Sequence, residues 1–411
     1  MLRPSLPALI AAVVALGAVA TLAFEARGAN LAAAALIGGA AGFALYHASF
    51  GFTAAWRRIV RERRGAGLRA QMLLIGLTCL VSFPLIAWGT GDLAARGNIL
   101  PMGVASAFGA FVFGAGMQLG GGCASGTLFT VGGGSTRMVI TLFFFITGSL
   151  LATAHWDFWT AGATPTDNDV LAALKDAISY RLNDNRGISL LREFGVVGAL
   201  SIMAVVLSAI AITSTIIERR AHGTLEPRRK TAALLTGPWS LTLGAIALAL
   251  VGIGSFIALG RPWGVTSGFA LWGAHGYEAL GGDVSGWTYW KGWRAAQVEQ
   301  SLFANGTSVM NFGIVFGAMA AAALAGKWRP SLNISKRDLL TAIIGGLMMG
   351  YGARLAYGCN IGAYLGGLVS GSLHGWWWLL WGFGGSYLGV WMRARLAMDP
   401  PLAPRNASLP T

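Results

Sequence analysis

Two cysteines lie in the same glycine-rich pattern in the two halves of this 411-residue chain. Residues 114–126 read GAGMQLGGGCASG and residues 350–362 read GYGARLAYGCNIG, so both match G-x-G-x-x-L-x-x-G-C-x-x-G at one offset of 236 residues. Glycine lets the backbone approach a ligand closely, and a thiol is a weak donor that suits a sulfur-containing ligand. The repeat predicts a duplicated permeation site around Cys123 and Cys359.

The charges around this motif favour an anion as the transported species. No Asp or Glu occurs within 114–137 or 345–375, whereas backbone N–H groups at glycine-rich turns and helix starts bind anions. Weak binding by thiols also suits conduction, because a strongly held ion does not leave. The residues predicted to line the path are Cys123, Cys359, Gly122, Ser125, Gly126, Gly358, Asn360, Gly362, Gln118 and Arg354.

Several polar residues near the motif have two interpretations. Ser125 and Asn360 can donate to an anion or cap a helix start. Arg354 can attract the anion, since intramembrane arginines are costly and usually functional, or it can extend to the membrane surface. His374 can contact substrate, but a histidine beside tryptophans more often lies at the interface. Cys79, in a plain apolar stretch, is expected to be a packing residue.

The composition predicts a membrane protein. Hydrophobic residues make up 55% of the chain and charged residues only 11%, compared with about 25% charged residues in soluble proteins. The fold class expected is an all-α polytopic membrane protein, with about ten hydrophobic helices, inverted repeats and broken or re-entrant Gly-Cys segments. The apolar runs cover 6–24, 31–51, 70–89, 100–118, 138–155, 194–217, 232–259, 302–325, 338–356 and 374–392.

Clusters of basic residues predict the orientation. The net charge is +14, and Lys and Arg are concentrated in 57–69, 219–230, 327–337 and the C-terminal tail. By the positive-inside rule these clusters are cytoplasmic, and no nucleic acid is needed to explain the charge. The two cysteine units then run in opposite directions through the membrane, as inverted repeats do.

The same topology predicts the domain organisation. Residues 1–155 form an N-terminal membrane repeat, 156–192 an external loop, and 193–230 a linking helix with a cytoplasmic loop. Residues 231–395 form a C-terminal membrane repeat and 396–411 a cytoplasmic tail. A further echo, GFALYHA at 42–48 and GFALWGA at 268–274, is either part of the duplication or a chance similarity.

At GGGCASGTLFTVGGGS and GARLAYGCNIGAYLGGLVSGSLHGWWW, the chain resembles the YeeE/YedE family of bacterial inner-membrane sulfur transporters. The resemblance covers nearly the whole chain and implies uptake of thiosulfate, passed along cysteines by S–H hydrogen bonds. Cys123 and Cys359 match two of the family cysteines. Gly51, in GFALYHASFGF, stands where the third is expected, so the full relay is not assured. The resemblance also implies a TusA-like sulfur carrier as a potential partner.

The function expected is therefore uptake of thiosulfate or a related sulfur-containing anion across the bacterial inner membrane, with both termini cytoplasmic. We expect no enzymatic activity, no metal site and no cofactor, because the chain has neither a C-x-x-C zinc pattern nor a Walker A motif. The alternative is a membrane sulfur-relay protein that passes sulfane sulfur through a cysteine persulfide to a cytoplasmic carrier. That chemistry requires an accessible thiolate.

Overall fold

The protein forms a bundle of long helices in the computed structural model, which describes residues 3–160, 187–330 and 333–399. No strand occurs in these ranges, and nine helical stretches are long and apolar enough to cross a membrane. The helix Leu373–Arg395 adds a tenth long helix at the C-terminal end. The expected all-α polytopic membrane fold is confirmed.

Thirteen helices position the site. In chain order they are α1 (Leu6–Arg27), α2 (Ala29–Ala48), α3 (Phe52–Glu62), α4 (Ala66–Trp88), α5 (Val104–Gly120), α6 (Ala124–Gly132), α7 (Thr136–Ala154), α8 (Leu190–His222), α9 (Leu241–Leu259), α10 (Thr266–Ala279), α11 (Gly306–Leu324), α12 (Lys336–Leu355) and α13 (Leu373–Arg395). A π-helix, Asn360–Leu365, follows α12. Helix α9 begins nine residues later than the predicted span 232–259, after a turn that contains Pro238.

Glycines let α5 and α12 pack closely, in a pattern that repeats under the 236-residue offset. A Cβ at Gly116 would lie 3.1 Å from the Gly345 oxygen and 3.0 Å from the Met349 nitrogen. A Cβ at Gly352 would lie 2.5 Å from the Gly109 oxygen and 2.8 Å from the Phe113 nitrogen. The contacted residues Gly109 and Phe113 lie 236 positions before Gly345 and Met349, so the two sets of contacts repeat under the offset. The C-terminal part of each helix meets the N-terminal part of the other. The two helices are therefore antiparallel and related by a local two-fold axis.

The long helix that follows each break packs against the long helix of the opposite unit: α7 packs on α12, and α13 packs on α5. Gly385 of α13 packs against the backbone of Phe111 in α5, and Gly350 of α12 packs against the backbones of Phe145 and Ser149 in α7. The cysteine units thus interlock as two-fold mates, and an axis between antiparallel membrane helices lies in the membrane plane. This geometry agrees with the predicted inverted repeats.

The weaker sequence echo does not follow this symmetry. Residues 42–48 form the end of α2, whereas residues 268–274 lie in α10. Helix α10 packs against α7 and α12, as α3 packs against α13 and α5, so α10 corresponds to α3 instead. The resemblance of GFALYHA to GFALWGA reflects a composition rich in Ala, Leu and Gly.

Ion pairs and hydrogen bonds bring the four basic clusters to one face of the bundle, and Arg337 of segment 327–337 donates to the Ala397 carbonyl at 2.7 Å. Arg58 pairs with Glu226 at 2.9 Å and Arg69 with Glu218 at 2.8 Å, which joins 57–69 to the loop after α8. Arg61 and Arg393 both reach Asp399, and the Arg393 guanidinium holds the pKa of that carboxyl below its usual range. We refer to this surface as the basic face.

The predicted domain boundaries are only partly covered. The linking helix α8 begins at Leu190, three residues before the predicted boundary at 193, because Ser189 caps it by accepting from the Arg192 N–H. Most of the expected external loop, 161–186, and the tail from 400 to 411 lie outside the described residues.

Candidate functional site

Each motif cysteine lies at the break between a long helix and a short one. Helix α5 ends at Gly120, and Cys123 is the N-cap of α6. Helix α12 ends at Leu355, and Cys359 is the N-cap of the π-helix. The predicted broken Gly-Cys segments are present in both units. At both breaks the first backbone N–H groups of the short helix have no partner within that helix.

The two thiols are buried, and the short helices that they cap, α6 and the π-helix, contact each other. Cys123 is 1% exposed and Cys359 is fully buried. The Cys123 Sγ lies 3.5 Å from the Ser125 Oγ. The Cys359 Sγ accepts from the Ile361 N–H at 3.4 Å. The site predicted from two distant motifs is therefore one location in the structure.

Two further helices begin beside the thiols. Gly51 is the N-cap of α3, and the Phe52 ring in the first turn of that helix contacts the Tyr364 ring of the Cys359 unit at 5.9 Å. The residues just before α10 contact the Cys359 unit, since the Gly264 Cα lies 3.7 Å from a Cβ placed at Gly362. Helix N-termini carry partial positive charge and free N–H groups. Their convergence makes the site attractive to anions.

Two polar side chains beside Cys359 have no hydrogen-bond partner within the described structure. Both the Oδ1 and the Nδ2 of Asn360 are buried and unpaired, as is the Tyr364 hydroxyl. Leaving such a group unsatisfied costs about 1–3 kcal/mol. Asn360 does not cap the helix, because the Cys359 side chain accepts from the first turn instead. These groups are available to a ligand.

Arg354 and Gln118 occupy two-fold-related positions but carry different charge. Arg354 donates to the Tyr289 hydroxyl at 2.7 Å and to the Thr266 Oγ1 at 3.2 Å, and it is only 5% exposed. Its guanidinium is therefore held between α10 and the loop that contains Tyr289. Gln118, fully buried, donates to the Thr53 carbonyl at 3.1 Å. Each side chain binds the first turn of α10 or α3, so both position the helix starts at the site.

The motif glycines keep space around the thiols. A Cβ at Gly126 would touch the Cys123 Sγ at 3.4 Å, and one at Gly122 would lie 3.2 Å from the Gly126 carbonyl carbon. The Gly358 carbonyl accepts from the Trp378 indole at 3.2 Å, which fixes the turn before Cys359. Gly122 and Gly126 thus lie at the break around Cys123, and Gly358 and Gly362 lie at the break around Cys359.

Buried aromatic rings form a wall that the sequence did not reveal. The Tyr364 ring stacks on Trp378 at 6.2 Å and meets Phe52 at 5.9 Å and Trp56 at 6.0 Å. Trp378 is fully buried, although its tryptophan-rich segment suggested an interfacial belt. The i, i+4 spacing of Phe52 and Trp56 on α3 was the available signal.

The remaining flagged side chains lie in different settings. His374 is fully buried, packs against the Tyr357 ring at 5.1 Å, and has both ring nitrogens unpaired among the described residues. It is therefore not at the solvent-exposed interface. Cys79 is buried and its Sγ lies 3.8 Å from the Leu368 carbonyl, which fits the expected packing role.

Comparison with known families supports these observations. Residues 47–388 match the family model described as sulphur transport. That range includes both cysteine units, α3, α10 and the aromatic wall.

Individual relatives are transporters of sulfur compounds or probable transporters. The chain is 28% identical to the thiosulfate transporter TsuA of Spirochaeta thermophila over 75% of this chain and 80% of that protein. It is 23% identical to TsuA of Escherichia coli over 92% and 96% of the two chains. The match to the probable transporter YedE of Escherichia coli is 31% identical but spans only 39% of each chain.

Proposed function

Because the chain belongs to the sulphur transport family, we propose that it takes up thiosulfate, or a related sulfur-containing anion, through the site between Cys123 and Cys359. The observation that carries the proposal is that two buried thiols cap two short helices that contact each other. The two relatives named as thiosulfate transporters support this choice of substrate. The proposed path consists of Cys123, Cys359, Ser125, Asn360 and the motif glycines, with Gln118 and Arg354 at its two sides.

The site can hold both ends of such an anion. Helix N–H groups and the Asn360 amide can bind the oxygens and their charge, while the thiols offer weak S–H contacts to the terminal sulfur. Weak contacts favour release, which conduction requires. Gly126 leaves room beside the Cys123 Sγ, since even a methyl group there would contact it at 3.4 Å. The anion therefore moves from one thiol to the other without a covalent step.

The orientation follows from the basic face. Cytoplasmic loops of membrane proteins carry an excess of Lys and Arg, so the basic face is assigned to the cytoplasm and the membrane to the bacterial inner membrane. The Ser5 N–H bonds to the Ala323 carbonyl near the basic segment 327–337, and Asp399 lies on the basic face. Both termini are accordingly proposed to be cytoplasmic, and Arg354 lies on the opposite, outward side.

Uptake of labelled thiosulfate into liposomes tests the proposal. Cys123→Ser and Cys359→Ser each replace sulfur by a harder atom in a nearly isosteric side chain, and both are expected to abolish uptake. Cys79→Ser is the matched control, because this third buried cysteine packs on the Leu368 carbonyl and belongs to neither Gly-Cys motif. Normal uptake by both site variants, with normal protein yield, would contradict the proposal.

The proposed mechanism includes no enzymatic step. Among the described residues, neither thiol has a hydrogen bond or ion pair with Lys, Arg or His that would stabilise a thiolate. Intact-mass spectrometry after exposure to thiosulfate should therefore show an unchanged protein mass. A persistent sulfur adduct on Cys123 or Cys359 would instead support a relay to a TusA-like carrier, which we place, as a potential partner, at the basic face.

A further inference from the structure

A cavity of about 960 Å³ opens on the basic face. It lies between the end of α2, the first turns of α4, the start of α9 and the loop segment 225–231. We call it the basic cavity. Its polar side includes Arg58, Arg69, Arg228, Arg229 and Lys230.

The charge of the basic cavity is not balanced by its own acids. Among the described residues, Glu226 is the one carboxylate that lines it, and Glu226 pairs with Arg58 at 2.9 Å. Arg229 donates to backbone carbonyls, including that of Ala48 at 2.7 Å. Arg228 and Lys230 are exposed and make no hydrogen bond or ion pair to any described residue. Two cations are thus available to a ligand with negative charge.

The opposite wall of the basic cavity is apolar and belongs to membrane helices. It includes Ala70 and Leu73 of α4 and Leu241 of α9, and the Leu73 side chain is 38% exposed. The adjoining loop presents Leu234 and Leu235, which are 64% and 66% exposed. Exposed leucines next to free cations are typical of a segment at the boundary between lipid and water.

We infer that the basic cavity binds the headgroup of an anionic phospholipid from the cytoplasmic leaflet. Arg228 and Lys230 bind the phosphate, and the Ser240 hydroxyl, which also lines the cavity and accepts from the Thr231 hydroxyl at 3.3 Å, is in place to donate to it. The acyl chains extend along the Leu73 wall. Basic pockets between membrane helices on the cytoplasmic side bind anionic headgroups. The apolar wall favours an amphiphile over a small soluble anion. Neither motif cysteine lines this cavity.

Native mass spectrometry of the delipidated full-length protein tests the inference. Short-chain phosphatidylglycerol and phosphatidylcholine are titrated separately into the wild type and into Arg228→Gln/Lys230→Gln. The wild type should prefer phosphatidylglycerol, and the double variant should lose about fivefold in affinity for each cation removed. Phosphatidylcholine binding should not change. Arg219→Gln/Arg220→Gln is the matched control, because these exposed arginines of α8 lie outside the cavity lining; it should stay within about twofold of the wild type.

Three results would overturn the inference. The first is equal wild-type affinity for the two lipids, and the second is an unchanged preference in the double variant. The third is displacement of the lipid by inorganic phosphate at equal concentration, which would identify a site for a soluble anion. Melting temperatures of both double variants show whether they are folded.

Discussion

Replacing Arg354 by Gln removes a buried positive charge from the proposed outward side of the path. After the substitution, position 354 carries the same residue type as its two-fold mate, Gln118. Five residues separate Arg354 from Cys359, which puts the guanidinium on the order of 10 Å from that thiol. At this distance, with an effective dielectric constant of about 20, two unit charges attract by about 1.7 kcal/mol, or about 17-fold in affinity. A divalent anion gains more. We expect Arg354→Gln to raise the half-saturating thiosulfate concentration by at least tenfold.

The assay is initial-rate uptake of labelled thiosulfate into liposomes over a concentration series. Arg354→Lys should recover part of the affinity, because it keeps the charge but replaces the two guanidinium nitrogens that donate to Tyr289 and Thr266 by a single ammonium nitrogen. Lys291→Gln, which removes an exposed charge from the same outer loop region, is the control and should leave the half-saturating concentration unchanged. An unaltered value for Arg354→Gln in a protein with normal melting temperature would refute the electrostatic argument.

Two further predictions concern glycines of the site and its scaffold. Gly51→Cys should fold normally, because Gly51 has an extended backbone and a Cβ there meets no atom within 4 Å. A third thiol beside Phe52 should change the thiosulfate affinity by about fivefold, which is the effect of one hydrogen bond. Identical uptake curves for this variant and the wild type would argue against contact of residue 51 with the anion. Gly352→Val should lower the melting temperature and the yield, because its Cβ would approach the Gly109 oxygen to 2.5 Å. Gly362→Ala is the control and should lower neither, because a Cβ there lies 3.7 Å from its nearest neighbour. Equal stability of these two variants would refute the close packing of α5 on α12.

The features that could be predicted from the sequence are those that depend on local residue patterns. The duplicated Gly-Cys motif located both helix breaks, and the basic clusters predicted opposed directions for the two units, which the antiparallel packing of Gly116 and Gly352 supports. These features follow from residue types within a few turns of each other, because glycine packing and helix capping are short-range effects.

Long-range contacts could not be predicted in the same way. Phe52 and Tyr364 meet through the folded bundle, although they are far apart in the chain. The arrival of α3 and α10 at the thiols likewise depends on how the two units interlock. The family resemblance drew attention to Gly51, but only the structure places it at the start of the helix whose first turn contacts Tyr364.

The two units share a backbone but not their polar side chains. At the 236-residue offset, Gln118 corresponds to Arg354, and Leu128 corresponds to Tyr364. The N–H groups that attract an anion are therefore present in both units, but the polar side chains around them differ. The Cys359 unit has the Arg354 guanidinium and the Tyr364 hydroxyl, whereas the Cys123 unit has the Ser125 hydroxyl, and its guanidinium groups, from Arg137 and Arg393, are bonded to α5 carbonyls. In passive conduction this asymmetry cannot change the equilibrium distribution of the anion, because binding energy gained on arrival is lost on departure. We therefore expect it to change how strongly the anion occupies the path near each thiol, and not the direction of its net movement.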